Sequence, residues 1–136
     1  MPDTAHFNTL SPGTLPGLLG IEMQEVVRGR VQASIAVAPH HMAPNGFLHA
    51  GTVVTLADTA CGYGCIASLP EGAQNFTTIE LKSNFLGTAR DGHVDCVATL
   101  AHGGRTTQVW DAVVTHRETG RTMAMFRCTQ MVLYPR

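Results

Sequence analysis

The sequence predicts an α+β fold in which one antiparallel sheet of about six strands wraps a single long helix. Three observations carry that expectation. Two alternating apolar stretches flank Gly29, a nearly unbroken apolar segment covers residues 49–69, and four more strand-like runs follow it to residue 134. A chain of 136 residues suits one ordinary domain, taken here as residues 1–136.

The elements follow in order. Residues 8–20 set Pro12, Pro16 and three glycines around Leu15, Leu18 and Leu19, which reads as a short helix or turn leading into the domain. Within residues 21–37, Val31, Ala33, Ile35 and Val37 alternate, so a hairpin with one buried face is expected. Pro39, Pro44 and the Asn45-Gly46 pair mark a loop. The segment 49–69 that Pro70 closes is long enough to raise a membrane span, but it holds a central aspartate, three glycines and no flanking basic residues or aromatic belt. A helix buried on most sides by a sheet accounts for it better. Strands are then expected at 77–86, around Val94, Cys96, Ala98 and Leu100, at 106–116 and at 122–134, in a meander. Its turns would be Ala89-Arg90-Asp91-Gly92, His102-Gly103-Gly104-Arg105 and Glu118-Thr119-Gly120.

Composition narrows the function classes. Hydrophobic residues make up 44% and charged residues 14%, which argues against disorder and for apolar surface buried between subunits. A net charge of −1 gives no nucleic-acid-binding surface. Cys61, Cys65, Cys96 and Cys128 form no CxxC pair and sit in apolar runs, as small buried hydrophobes of a reducing compartment do. The N-terminus has no basic segment followed by an apolar one, so a cytoplasmic protein is expected.

Asp58 is the one charged residue between Ala50 and Leu69. A carboxylate among Val53, Val54, Leu56, Ala57, Ala60 and Cys61 is costly to ionise unless it is paired or faces a wet cleft. It fits either a structural hydrogen bond at the helix edge or a general base or nucleophile in a dry pocket. His49 stands where the helix should begin, followed by Ala50 and Gly51. Free N–H groups there suit a carbonyl oxygen or a developing oxyanion, although His49 would serve equally as a simple cap. Nine positions separate His49 from Asp58, a rise of roughly 13 Å and a turn of roughly 180° along a helix. Two such side chains cannot meet on one helix. If both serve one site, His49 of one subunit joins Asp58 of another, and a homodimer is expected.

The stretch Asn45-Gly46-Phe47-Leu48-His49-Ala50-Gly51, continuing through Leu56 and Asp58, resembles the hot-dog acyl-CoA thioesterases of the PaaI-like, phenylacetate-degradation type. Their pattern is Gly-x-x-His-Gly-Gly with an acidic residue nine positions after the histidine. Gly46, His49, Gly51, Leu56 and Asp58 fall into that register. Thr78-Ile79-Glu80-Leu81-Lys82-Ser83-Asn84-Phe85-Leu86 is similar to the family's strand after the helix. The resemblance implies hydrolysis of an acyl-CoA to a carboxylic acid and CoA, with Asp58 as nucleophile or base. The Ala50 and Gly51 N–H groups, with His49, would polarise the carbonyl, and Thr78 would hold the attacking water. Asn45, Phe47 and Ala50 would line the substrate site, and Arg90 and Arg105 would meet the CoA phosphates. Phe47, Tyr63 and Phe85 would shape the acyl pocket. Homodimers with shared sites, paired into tetramers, are implied as well.

Two departures stand out. The usual His-Gly-Gly is His49-Ala50-Gly51, which keeps the backbone donor at position 50. Six residues before the histidine, where many relatives carry Asn or Gln, this chain has Ala43. That change motivates an alternative, a hot-dog protein that binds acyl-CoA or another small ligand without turnover. A hydratase-like enzyme would also use a His and an Asp, but on a different motif. His40, His41, His49 and Asp58 match no common zinc spacing, so neither a metal nor any other cofactor is expected.

Overall fold

A computed structural model describes residues 2–136. Two short helices, α1 (Thr4–Leu10) and α2 (Leu15–Leu18), precede strands β1 (Glu22–Val27) and β2 (Arg30–Ala36). The long helix α3 (Ala50–Ala67) follows, then β3 (Asn75–Phe85), β4 (His93–Gly103), β5 (Thr107–His116) and β6 (Thr122–Leu133). The six strands form one antiparallel sheet in the order β1-β2-β4-β5-β6-β3, and α3 packs across one face of it against every strand.

α3 lies close to the sheet because its inner face is small. Val53, Leu56, Ala57, Ala60, Cys61, Gly64 and Cys65 recur at helical spacing and are buried. At Gly64 an added Cβ would stand 2.5 Å from the ring of Trp110, and at Gly62 one would stand 2.7 Å from Phe76. The paired glycines therefore serve close packing, and they let Trp110 sit fully buried with its Nε1 donating to Gln108 Oε1 at 2.8 Å. Burying a side chain such as Leu56 stabilises the fold by about 1.5–3 kcal/mol. The helix ends at Ser68, whose Oγ accepts from Gly29 N–H at 2.9 Å and whose carbonyl accepts from Gln108 Nε2 at 3.0 Å. All four cysteines are buried and free, and burial pushes the Cys65 and Cys96 thiols up to about 12.

One expectation is corrected. β3 to β6 do not form a meander: β3 pairs with β6, from Asn75↔Leu133 to Phe85↔Ala124, and β4 pairs with β2. The segment around Ala89-Arg90-Asp91-Gly92 is therefore a crossover from the sheet edge to its middle rather than a hairpin turn. Turn chemistry fixes a chain reversal but not the partner strand, and here β2 offers β4 the free edge that β3 would have taken. The short helix expected within residues 8–20 appears as α2, and α1 precedes it. Asp3 caps α1 by accepting from His6 N–H at 2.9 Å, and α1 buries Phe7 completely. Among the described residues no helix is long and apolar enough to cross a membrane.

Candidate active site

The loop before α3 is a tight reversal. Ala43 N–H donates to the Phe47 carbonyl at 2.7 Å, and Gly46 takes φ +86°, a left-handed conformation that glycine adopts without strain. Leu48, buried, anchors the end of the loop, and His49 follows as the N-cap of α3. Its Nδ1 accepts from Gly51 N–H at 2.7 Å. With Nδ1 accepting, Nε2 is the ring nitrogen left to donate. Gly51 permits the fold-back, since a Cβ there would stand 2.9 Å from Nδ1. The Gly51 donor is thus used internally, and the Ala50 N–H is the one at the helix start with no acceptor among the described residues.

Asp58 lies nine residues further along the same uninterrupted helix, half-buried, where α3 crosses β3 and β6. Thr78 on β3 places its hydroxyl 3.3 Å from Asp58 Oδ1 and 2.7 Å from Gln130 Oε1 on β6. A β-bulge between Thr78 and Glu80 sits at this point and turns the strand beside the carboxylate. Burial pushes the Asp58 carboxyl above the usual carboxylate range, against a smaller downward pull from the Thr78 hydroxyl. No ion pair reaches Asp58 among the described residues. The expected acid and its Thr78 helper therefore meet within one chain, whereas His49 and Asp58 do not.

An open apolar cavity of about 400 Å³ adjoins the helix start, lined by Phe47, Leu48, Ala50, Val53, Phe85 and Thr88 with Gly87. The Arg90 guanidinium lies over the Phe47 ring, 5.1 Å from its centroid, at the same end of the molecule. Arg105 does not join it. It sits beyond the other end of β4, over Tyr134 at 5.8 Å, and its carbonyl accepts from the Tyr134 hydroxyl. Asn45 Oδ1 accepts from Phe47 N–H at 3.3 Å and so stiffens the loop. Tyr63 turns to the opposite side, against Phe7 and Ser11 Oγ, and does not line this cavity. His41, weighed above as a metal ligand, is buried with both ring nitrogens engaged by Ala38 N–H and the Leu19 carbonyl. Among the described residues no group of three or more His, Cys, Asp or Glu side chains is placed to hold a metal ion. Gln130 is the residue that the sequence reading missed. Its signal was a lone polar side chain among the inward positions Phe126, Cys128 and Val132 of β6.

The thioesterase superfamily profile matches residues 45–124, more than half of the chain and all of the segment from Asn45 through Asp58 and Thr78. The chain belongs to that superfamily. This thioesterase is 32% identical over 111 residues to the 1,4-dihydroxy-2-naphthoyl-CoA hydrolase of Listeria monocytogenes, covering 82% of this chain and 89% of that one. It superposes on a thioesterase of Pseudomonas aeruginosa, solved as a mutant, with TM-score 0.92 and 29% identity over 99% and 96% of the two chains. The PaaI protein of Escherichia coli shares the fold with TM-score 0.84 at 22% identity, over 96% and 91% of the chains. The hot-dog fold and the thioester-hydrolase class expected from the sequence stand.

Proposed function

We propose that this thioesterase hydrolyses acyl-CoA esters to a carboxylic acid and CoA, with Asp58 as the carboxylate that acts on the thioester carbon. The observation that carries this reading is Asp58 itself, desolvated on an apolar helix and held at one oxygen by Thr78. Its second oxygen has no partner among the described residues and is available to the carbonyl carbon or to a water attacking it. The Ala50 N–H and the Nε2–H of His49 are the donors for the carbonyl oxygen, and they take up its charge as the C–O bond lengthens. Collapse of the tetrahedral species breaks the C–S bond and the sulfur leaves as thiolate. On the base route it takes the proton that Asp58 removed from the water. On the nucleophilic route it takes one from solvent, while a water then hydrolyses the acyl-Asp58 anhydride to release the acid. No metal or redox cofactor enters this scheme. The apolar cavity beside Ala50 suits the acyl or pantetheine chain, and Arg90 at its rim suits a phosphate. A cytoplasmic enzyme would keep its four thiols reduced.

The reading also needs two subunits. His49 and Asp58 stand roughly 13 Å apart along one helix and point to opposite sides, so each site takes its electrophilic donors from one protomer and its acid from a partner. The outer edge of β3, beside Asp58, exposes Ile79, Leu81 and Phe85 and is the surface that supports such pairing. A homodimer joined there is the proposed unit, with tetramers as pairs of these dimers.

The test is thiol release from acetyl-, hexanoyl- and benzoyl-CoA by the wild type and by Asp58→Asn. A loss of about 10²–10⁴-fold in kcat is expected for the variant, and equal rates would remove Asp58 from the chemistry. A second reading, binding without turnover, is favoured by one observation: position 43 carries no amide, and the Asn45 side chain is committed to Phe47. Calorimetric binding of the same esters with no thiol released would select it.

A further inference from the structure

We propose that Gln130 is a positioning residue for Asp58, turning its amide over so that the Thr78 hydroxyl points toward the carboxylate when it is charged and away when it is protonated. This rests on the reading of Asp58 as the catalytic carboxylate. Thr78 has a single hydroxyl proton, yet its oxygen lies within reach of two acceptors, Asp58 Oδ1 at 3.3 Å and Gln130 Oε1 at 2.7 Å. It can donate to only one. With the amide oxygen toward Thr78, the proton lies on the shorter contact, and Asp58 must supply its own proton to the Thr78 oxygen. Rotating the amide by half a turn brings Nε2 to Thr78. The Thr78 oxygen then accepts from Gln130 and its proton is free to go to a charged Asp58.

Such a rotation inside a core is normally blocked, because one orientation strands a buried donor or acceptor at a cost of about 1–3 kcal/mol. Here the far side of the amide faces Cys128 Sγ at 3.5 Å. A thiol donates and accepts weakly, so it accepts from Nε2 in the first orientation and donates to Oε1 in the second. Gln130 is fully buried, which keeps water from taking over either role. The titratable groups near Asp58 are Cys61 on its own helix and Cys128 on β6, with Cys96 on β4 beyond Cys61. Contact with Cys128, then burial, pushes the Cys61 thiol well above its ordinary value, so it stays neutral while Asp58 titrates. Glu80, the nearest acid on β3, is exposed and pairs with Thr129 on the opposite face of the sheet.

The two orientations stabilise the two protonation states of Asp58, and replacements of similar size separate them. Where it is ionised, Gln130→Glu offers the Thr78 hydroxyl only acceptors and sets a like charge near Asp58, so it disfavours the charged carboxylate. The acid limb of kcat/KM should rise by about one pH unit. Gln130→Met removes the acceptor that the neutral state uses, and the limb should fall. In a Thr78→Val background the link is cut, and Gln130→Met should move nothing further. The profile is read from pH 5 to 9 by thiol release, with whichever ester of the acetyl-, hexanoyl- and benzoyl-CoA set the wild type hydrolyses fastest. In the unsubstituted protein, the Gln130 side-chain amide signal in NMR should titrate at the same midpoint as the rate. Shifts in opposite directions support the proposal. A limb that stays in place, a uniform loss at every pH, or an amide signal indifferent to pH overturns it. If Asp58→Asn is inactive while the limb does not move, only the role of Gln130 fails. If Asp58→Asn keeps full activity, the reading of the site fails first.

Discussion

At one edge of the sheet β1 is six residues long, carries Glu22, Gln24 and Glu25, and is broken by a bulge between Met23 and Glu25. Its outward backbone groups are occupied by α1. The Asn8 side chain accepts from Met23 N–H at 2.8 Å and donates to the Met23 carbonyl at 3.0 Å, while Thr4 Oγ1 accepts from Val26 N–H at 3.0 Å. At the other edge β3 runs eleven residues with Ile79, Leu81 and Phe85 open to solvent. Among the described residues the one side-chain bond to that strand's backbone is the local one from Phe76 N–H to Asn75 Oδ1. An exposed, long, apolar edge invites pairing, and proteins ordinarily blunt it as β1 is blunted. The difference supports the proposed homodimer, joined at the edge that is left open. The edge left open is the one that carries Thr78 beside Asp58.

The largest effect is expected from charging the open edge. Leu81→Lys should leave a monomer by sedimentation and lower kcat/KM by about 100-fold, because the site loses the partner's donors. Glu22→Lys, on the guarded edge, should change neither quantity. Comparable activity in a Leu81→Lys monomer would mean that one chain builds a whole site. Next in size is complementation. His49→Ala and Asp58→Asn proteins, each inactive, should recover about a quarter of wild-type activity when subunits exchange one to one. Half of the dimers are then mixed, and one of the two sites in each is intact. No recovery despite exchange seen by mass spectrometry would place both residues in one subunit's site. Smaller still, Asn8→Ala should uncover the β1 edge and cost about 1–3 kcal/mol in denaturant unfolding. kcat/KM should be unchanged.

The contrast also explains what the sequence could and could not announce. The helix was legible because an apolar run with one aspartate and a closing proline has a single economical reading, and the observed Ala50–Ala67 lies within the expected 49–69. The expected strand at 77–86 appears as Asn75–Phe85, where Ile79, Leu81 and Phe85 recur at alternate positions among polar residues. Its partner was not legible. Pairing of β3 with β6 is long-range, and the Arg90-Asp91-Gly92 turn chemistry is silent about which strand comes next. The site divided in the same way. Asp58, His49 and Thr78 carried motif spacing, whereas Gln130 showed only as a polar residue at an inward strand position, and its partner Thr78 stands across a long-range pairing. Tyr63 was expected in the acyl pocket with Phe47 and Phe85, yet helical rotation turns it to Phe7.

The smallest effect separates stability from function at the open edge. Burial raises the Asp58 carboxyl's pKa in the folded chain above its ordinary value of 3.8. Between that value and the raised one, the folded protein holds a proton that the unfolded chain has released. Stability therefore falls as pH rises through this window and stays lower above it. Below 3.8 both states are protonated and the penalty disappears. Asp58→Asn is neutral at every pH, so it should melt above the wild type at pH 7–8, by roughly 1–3 °C for a carboxyl still partly open to solvent. The two melting curves should converge as the pH approaches 4. An Asn variant that melts lower at neutral pH would mean that the charged carboxylate stabilises the fold through Thr78 more than desolvation costs it. Asp58 would then be a structural residue at the one edge the sheet leaves open.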